Sequence, residues 1–92
     1  MSSLLVSKLR ISDRVAEKLL SKHGLTADEV RDAVEDVRNL DFKWNTHPTR
    51  GPRAFVRTKI RERTHLIVLY PAIGESPDVW NLGTAYEIDP RK

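Results

Sequence analysis

The chain has 92 residues, 39% hydrophobic and 32% charged, with a formal charge of +3 and no cysteine. A length near 100 residues reads as one domain, 1–92, with a thin core that removes only about 60–65% of the extended-chain surface from water. The composition excludes a disordered chain. The missing cysteines exclude a disulfide scaffold, a thiolate zinc site, an iron–sulfur cluster and a cysteine nucleophile, and they fit a reducing cytoplasm. The longest apolar run, Leu66 to Tyr70, falls far short of the roughly 20 residues of a membrane span. Met1-Ser2-Ser3-Leu4 lacks the charged and apolar regions of a signal peptide. A soluble cytoplasmic protein with no membrane contact is expected.

Residues 4–11 read as a strand, with Leu5, Ser7, Leu9 and Ile11 on one face. Ser12 or Asp13 caps a first helix, whose apolar stripe is Val15, Ala16, Leu19 and Leu20. Gly24 suits the left-handed residue that ends it. Thr26-Ala27-Asp28-Glu29 is a capping box for a second helix, with Leu25 and Val30 placed as a hydrophobic staple. Val30, Ala33, Val34 and Val37 continue that helix, and Arg38 falls near its end. The two helices form an αα-hairpin with a very short turn.

After Asn39 the period changes from about 3.6 to 2. Residues 41–46 alternate as a strand, with Phe42 and Trp44 on one face. Residues 48–52 form a loop, 53–61 a strand, and Glu62-Arg63 a turn. Residues 64–70 are the most apolar strand and so the central one. Residues 71–77 form a loop and 78–88 the last strand. Gly83 inside that strand suggests a bulge or the close approach of another segment. Residues 1–3 and 89–92 are expected to be loose. The order β-α-α-β-β-β-β predicts an α+β fold, an antiparallel sheet with a helical hairpin on one face.

Charge is unevenly placed. Residues 1–41 sum to −1, residues 42–70 to +6 and residues 71–92 to −2. A block of +6 carried on strands points either to a polyanionic or acidic partner or to a solvated sheet face.

Three pieces of the chain resemble the BrnT-like branch of the RelE/ParE toxin superfamily. Lys22-His23-Gly24-Leu25-Thr26-Ala27-Asp28-Glu29-Val30 is similar to the family's helix–helix junction. Arg53-Ala54-Phe55-Val56, followed by Thr64-His65-Leu66-Ile67-Val68-Leu69-Tyr70, is similar to its central strand pair. Thr84-Ala85-Tyr86-Glu87-Ile88 is similar to its last strand. Tyr86-Glu87 stands where the family often carries an arginine doublet, and Ile60-Arg61-Glu62-Arg63 lacks the usual turn glycine. The resemblance implies a RelE-like fold and a metal-independent endoribonuclease acting on mRNA, ribosome-associated or free. It further implies inhibition by a cognate acidic antitoxin, with operator DNA bound only by the toxin–antitoxin complex. The alternative is a non-catalytic member of the same fold that binds nucleic acid or a protein partner.

Metal-free RNA cleavage needs a base for the 2′-hydroxyl, cations for the phosphorane and an acid for the leaving 5′-oxygen. Arg57 and Lys59 alternate along the strand at 53–61 and are candidate catalytic residues. His23 and Tyr86 are the other two, Tyr86 by the resemblance. His23 otherwise reads as a helix C-terminal cap. Tyr86 otherwise reads as a core residue, sharing its side of the last strand with Trp80, Leu82, Thr84 and Ile88. Candidate nucleic-acid contacts are Lys43, Arg53, Phe55, Arg61 and Arg63, with Phe55 able to stack a base. The groove for RNA or antitoxin is expected between the strands at 53–61 and 78–88, floored by Asn81, Gly83 and Ala85. His23, His47 and His65 have no metal-ligand spacing, so no metal and no cofactor are expected.

Overall fold

The structure, a computed structural model, describes residues 4–88; the ends expected to be loose, 1–3 and 89–92, lie outside the described residues. The elements are β1 (Lys8–Arg10), α1 (Asp13–His23), α2 (Ala27–Val34), β2 (Asp41–His47), β3 (Gly51–Ile60), β4 (Arg63–Pro71) and β5 (Val79–Glu87). They form an α+β fold in which one five-stranded sheet, ordered β1-β5-β4-β3-β2, carries the two helices. The radius of gyration is 12.5 Å. Among the described residues no helix is long and apolar enough to cross a membrane.

The sheet is mixed, which corrects the antiparallel sheet expected from the sequence. β2 to β5 run antiparallel in sequence, but β1 pairs with β5 in parallel, from Lys8 opposite Val79 to Arg10 opposite Asn81. Helices separate β1 from the strands that follow, so no hairpin forces its direction. β1 is also shorter than residues 4–11. Leu4, Val6 and Leu9 are buried, whereas Leu5 is 52% exposed and Ser7 is exposed, so Leu5 and Ser7 do not share a face with Leu9 as expected. The alternation breaks at Ser7, whose N–H donates to the Asp78 carbonyl at 2.9 Å.

Both helix starts follow the expected chemistry. The Ser12 hydroxyl accepts from the Val15 N–H at 3.2 Å, and Gly24 takes φ 64°, closing α1 in a left-handed turn. In the capping box the Thr26 hydroxyl accepts from the Glu29 N–H at 3.2 Å, and Glu29 Oε1 accepts from the Thr26 N–H at 3.0 Å. α1 packs on β5 and α2 on β3. Leu19, Leu25, Val30 and Val34 bury against Val56, Ile60, Ile67, Leu69, Trp80, Leu82 and Ala85. Leu20, expected in the α1 stripe, is 62% exposed.

α2 ends at Val34 rather than continuing through Val37 and Arg38. Glu35 turns extended, and its carboxylate accepts the Leu9 N–H at 2.7 Å. The Asp36 N–H donates to the Val6 carbonyl at 2.8 Å. These bonds tie the end of the helix to the β1 segment. Asp36 and Asn39, at φ 54° and 59°, then turn the chain toward β2.

The β3–β4 turn lies one residue earlier than expected, at Arg61-Glu62, with Ile60 opposite Arg63. Both turn residues have positive φ, 54° and 65°, without a glycine. This is the twist a two-residue hairpin requires. The Arg61 guanidinium forks onto the Glu29 carboxylate, with Nη2 donating to Oε1 at 2.6 Å, and so fastens the turn to the start of α2. β4 is central, as its apolar sequence requires. His65 is 5% exposed, and its Nδ1–H donates to the Arg63 carbonyl at 2.8 Å.

Two outcomes follow. A non-glycine residue in the left-handed region costs about 1–2 kcal/mol, and glycine gives back part of that gain through chain entropy. Glu62→Gly, which leaves the Arg61–Glu29 pair intact, should therefore stabilise the fold by about 0.5–1 kcal/mol in denaturant unfolding; a lower midpoint would mean that the turn is not left-handed. Glu29 is held below its ordinary value of 4.5, first by the Arg61 bond and then by the Thr26 N–H. A depressed carboxylate stabilises the fold above its unfolded value and loses that contribution as pH falls. The stability gap between wild type and Glu29→Gln should be full above pH 4.5 and close as pH drops below it. A gap independent of pH would show that the ion pair is not formed.

Candidate functional site

The face of the sheet turned away from the buried core begins with β3. Its residues Arg53, Phe55, Arg57 and Lys59 alternate with the buried Ala54, Val56 and Ile60. Register places Asn45, Lys43 and Asp41 of β2 opposite Arg53, Phe55 and Arg57. On the other side Val68, Leu66 and Thr64 of β4 lie opposite Phe55, Arg57 and Lys59.

β5 joins this face through an irregularity. Leu69 pairs with Leu82 and Val68 with Thr84, so Gly83 is an extra residue. A one-residue bulge shifts the side-chain alternation beyond it. Trp80, Leu82 and Ala85 consequently face the core, while Thr84 and Tyr86 come out opposite Val68 and Leu66. The expectation that Tyr86 shares a side with Trp80 and Leu82 is corrected by this bulge. The expected groove floor is corrected too: β4 fills the space between β3 and β5, and Ala85 is buried.

Tyr70 is the hub of the face. A Cβ placed on Gly83 would lie 2.5 Å from Tyr70 Cε2 and 3.0 Å from Cδ2, so the ring rests where any other residue would push it off. The Arg50 guanidinium sits 3.9 Å from the centroid of that ring, a cation–π contact. Arg53 Nη1 donates to the Tyr70 hydroxyl at 3.4 Å, while its Nε donates to Asn45 Oδ1 at 2.8 Å. The same guanidinium lies 4.7 Å from the Phe55 centroid. Arg50 is placed by the β2–β3 turn, where the Thr49 and Arg50 N–H groups donate to His47 Nδ1 at 3.1 and 3.0 Å.

Three clefts adjoin on this face. The central one, about 280 Å³, has Tyr70, Tyr86, Phe55 and Val68 as walls and floor and Arg50 and Arg53 as its cations. A second, about 190 Å³, opens beside it across Gly83 and Thr84 and is bordered by Arg14, Lys18 and His23 of α1. β1 pairs only as far as Asn81, and α1 packs against β5, so the helix brings these side chains to the rim. No carboxylate lines either cleft among the described residues. The third, about 210 Å³, lies on the β2 side between Lys43, Phe55, Arg57 and Asp41.

The structure thus brings together two of the sequence candidates, His23 and Tyr86, with ring centroids 6.4 Å apart. Arg53 and Phe55 join Tyr86 in the central cleft, and Arg57 and Lys43 meet in the third. Lys59 lies nearer the β3–β4 turn, opposite Thr64, outside these clefts. Arg61 is bound to Glu29, and Arg63 Nη1 is paired with Glu87 at 3.3 Å. Arg14, Lys18, Arg50, Tyr70 and Thr84 were not among the sequence candidates. Tyr70 was recoverable in part, since the alternation sets it with Leu66 and Val68 opposite the buried side of β4. Arg50 carried no signal, because its position depends on a loop.

No protein family, no characterised protein and no solved structure matches this chain. The functional reading therefore rests on the chemistry of the face itself.

The Gly83–Tyr70 contact is testable by a double-mutant cycle. Gly83→Ala should destabilise the fold by about 1–3 kcal/mol, as overpacking does. In a Tyr70→Ala background the same substitution should cost much less. Equal costs in both backgrounds would show that Tyr70 does not rest on Gly83.

Proposed function

We propose that the open sheet face binds single-stranded RNA and cleaves it without a metal, as the toxin component of a type II toxin–antitoxin pair on a RelE-like fold. The observation that carries this reading is the central cleft, lined by no carboxylate among the described residues, in which Arg50 and Arg53 bracket Tyr70 beside the His23–Tyr86 pair. Guanidinium groups fit phosphate bidentately. Aromatic side chains that offer a flat face to unstacked bases give sequence-tolerant binding of single strands.

The cleavage reading follows from the same residues. The His23 imidazole takes the proton of a ribose 2′-hydroxyl, and the 2′-oxygen attacks the adjacent phosphorus. Arg50 and Arg53 hold the charge that develops on the phosphoryl oxygens. The P–O5′ bond breaks, and the Tyr86 hydroxyl supplies the proton to the departing oxygen. The products are a 2′,3′-cyclic phosphate and a 5′-hydroxyl end. In this reading the chain works in the cytoplasm on free or ribosome-associated mRNA. A cognate acidic antitoxin covers the basic face, and operator DNA is bound only by that complex. Binding without cleavage is the second reading; the cations and aromatic walls of the clefts support it, since binding a strand needs no proton transfer.

The test is oligoribonucleotide binding and cleavage in EDTA. Wild type should produce cyclic-phosphate ends, and a 2′-deoxy sugar at the cleavage site should stop the reaction. His23→Gln should slow cleavage about 10²–10⁴-fold with affinity nearly unchanged. Arg50→Ala with Arg53→Ala should flatten log K against log salt by about 1.4, or about 0.7 per lost phosphate contact. Binding with that slope change and no cleavage leaves the binding reading alone; no binding removes both.

A further inference from the structure

The third cleft differs from the other two in one respect: it contains a carboxylate. Asp41 stands directly opposite Arg57 in the β2–β3 ladder, and Lys43 stands opposite Phe55. Among the described residues Asp41 is the one acidic residue lining any of the three clefts. On a face suited to phosphates it opposes the backbone of any bound strand. Cross-strand neighbours of opposite charge ordinarily pair, yet among the described residues Asp41 and Arg57 form no ion pair with each other or with another group. Among the described residues neither side chain has a hydrogen-bond partner, so the carboxylate and the guanidinium flank a cleft of about 210 Å³.

Phe55 divides this cleft from the central one and lines both. Arg53, which precedes it on this face, lies over its ring at 4.7 Å. Arg57 follows it on the same face, so the side toward Arg57, Asp41 and Leu66 is left for a second planar group.

We propose that this cleft is a guanine-selective base pocket, the specificity subsite of the RNA-binding face; the proposal rests on the RNA reading above. A base stacks on Phe55, and Asp41 reads its Watson–Crick edge. Guanine alone among the four bases carries two adjacent donors there, N1–H and the N2 amino group, and these match the two oxygens of one carboxylate. Its O6 acceptor is left for the Arg57 or Lys43 cation. Adenine and cytosine would set a ring nitrogen acceptor against the carboxylate. Uracil offers one donor between two acceptors. A bidentate pair of this kind discriminates by roughly 5- to 150-fold.

The experiment uses full-length protein and uncleavable 2′-O-methyl hexamers of A carrying one central G, A, C, U or inosine, read by fluorescence anisotropy. The G strand should bind roughly 5- to 150-fold tighter than the A, C and U strands. Inosine, which lacks the N2 amino group, should fall between G and A. Asp41→Asn should bring the G strand down to the A strand without weakening the A strand. Equal affinity of wild type for all strands would overturn the pocket while leaving RNA binding intact. So would an Asp41→Asn variant that tightens every strand by one factor, since Asp41 would then only screen Arg57 and Lys43. Failure of every strand to bind would overturn the RNA reading as well.

Discussion

Gly83 sets the chemical character of both sheet faces. Side chains alternate with a period of two, so one extra residue in β5 determines which side everything beyond it occupies. Because Leu82 pairs with Leu69 and Thr84 with Val68, Ala85 goes into the core and Tyr86 comes out. The same position leaves no room for a Cβ under the Tyr70 ring. Tyr70 is then fixed low on the sheet, where Arg50 covers its face and Arg53 reaches its hydroxyl. Without the bulge, Tyr86 would compete for core volume and Tyr70 would lose its seat.

The opposite side of the sheet supplies the rigidity this arrangement needs. Glu29 closes the capping box of α2 and also receives Arg61 from the β3–β4 turn, so one carboxylate joins a helix start to a hairpin. Glu35 does the same for β1 and the end of α2 through the Leu9 N–H. Acidic residues are thus engaged largely at helix ends and turns, while the cations of β3 and the β2–β3 turn stand over the open face. The charge asymmetry along the sequence becomes an asymmetry in space.

Much of this was legible in the sequence because it rested on local rules. The capping box, the Ser12 cap, the Gly24 turn and the central β4 strand each depend on neighbours within a few residues. The bulge was signalled by a glycine inside a strand, but its consequence for Tyr86 was not, since alternation counted straight through Gly83 gives the wrong side. The parallel pairing of β1 with β5 was hidden because it joins residues some 70 positions apart. The pairing of Arg61 with Glu29 was hidden because the two residues lie far apart in sequence and only the fold brings them together. Arg50 was hidden because a loop places it, and α1 residues Arg14 and Lys18 because a surface helix gives no sign of which cleft it borders.

The central claim is that the functional surface is the open sheet face organised by Tyr70, rather than the helical side. The most direct measurement is a titration of isotope-labelled protein with single-stranded RNA, followed by backbone and aromatic NMR shifts. Perturbations should concentrate at Arg53, Phe55, Val68, Tyr70, Thr84 and Tyr86, and extend to His23 and Lys18 at the rim. The exposed side of α2, around Asp28 and Asp32, should remain still. Shifts centred on α2, or none at saturating RNA, would contradict it.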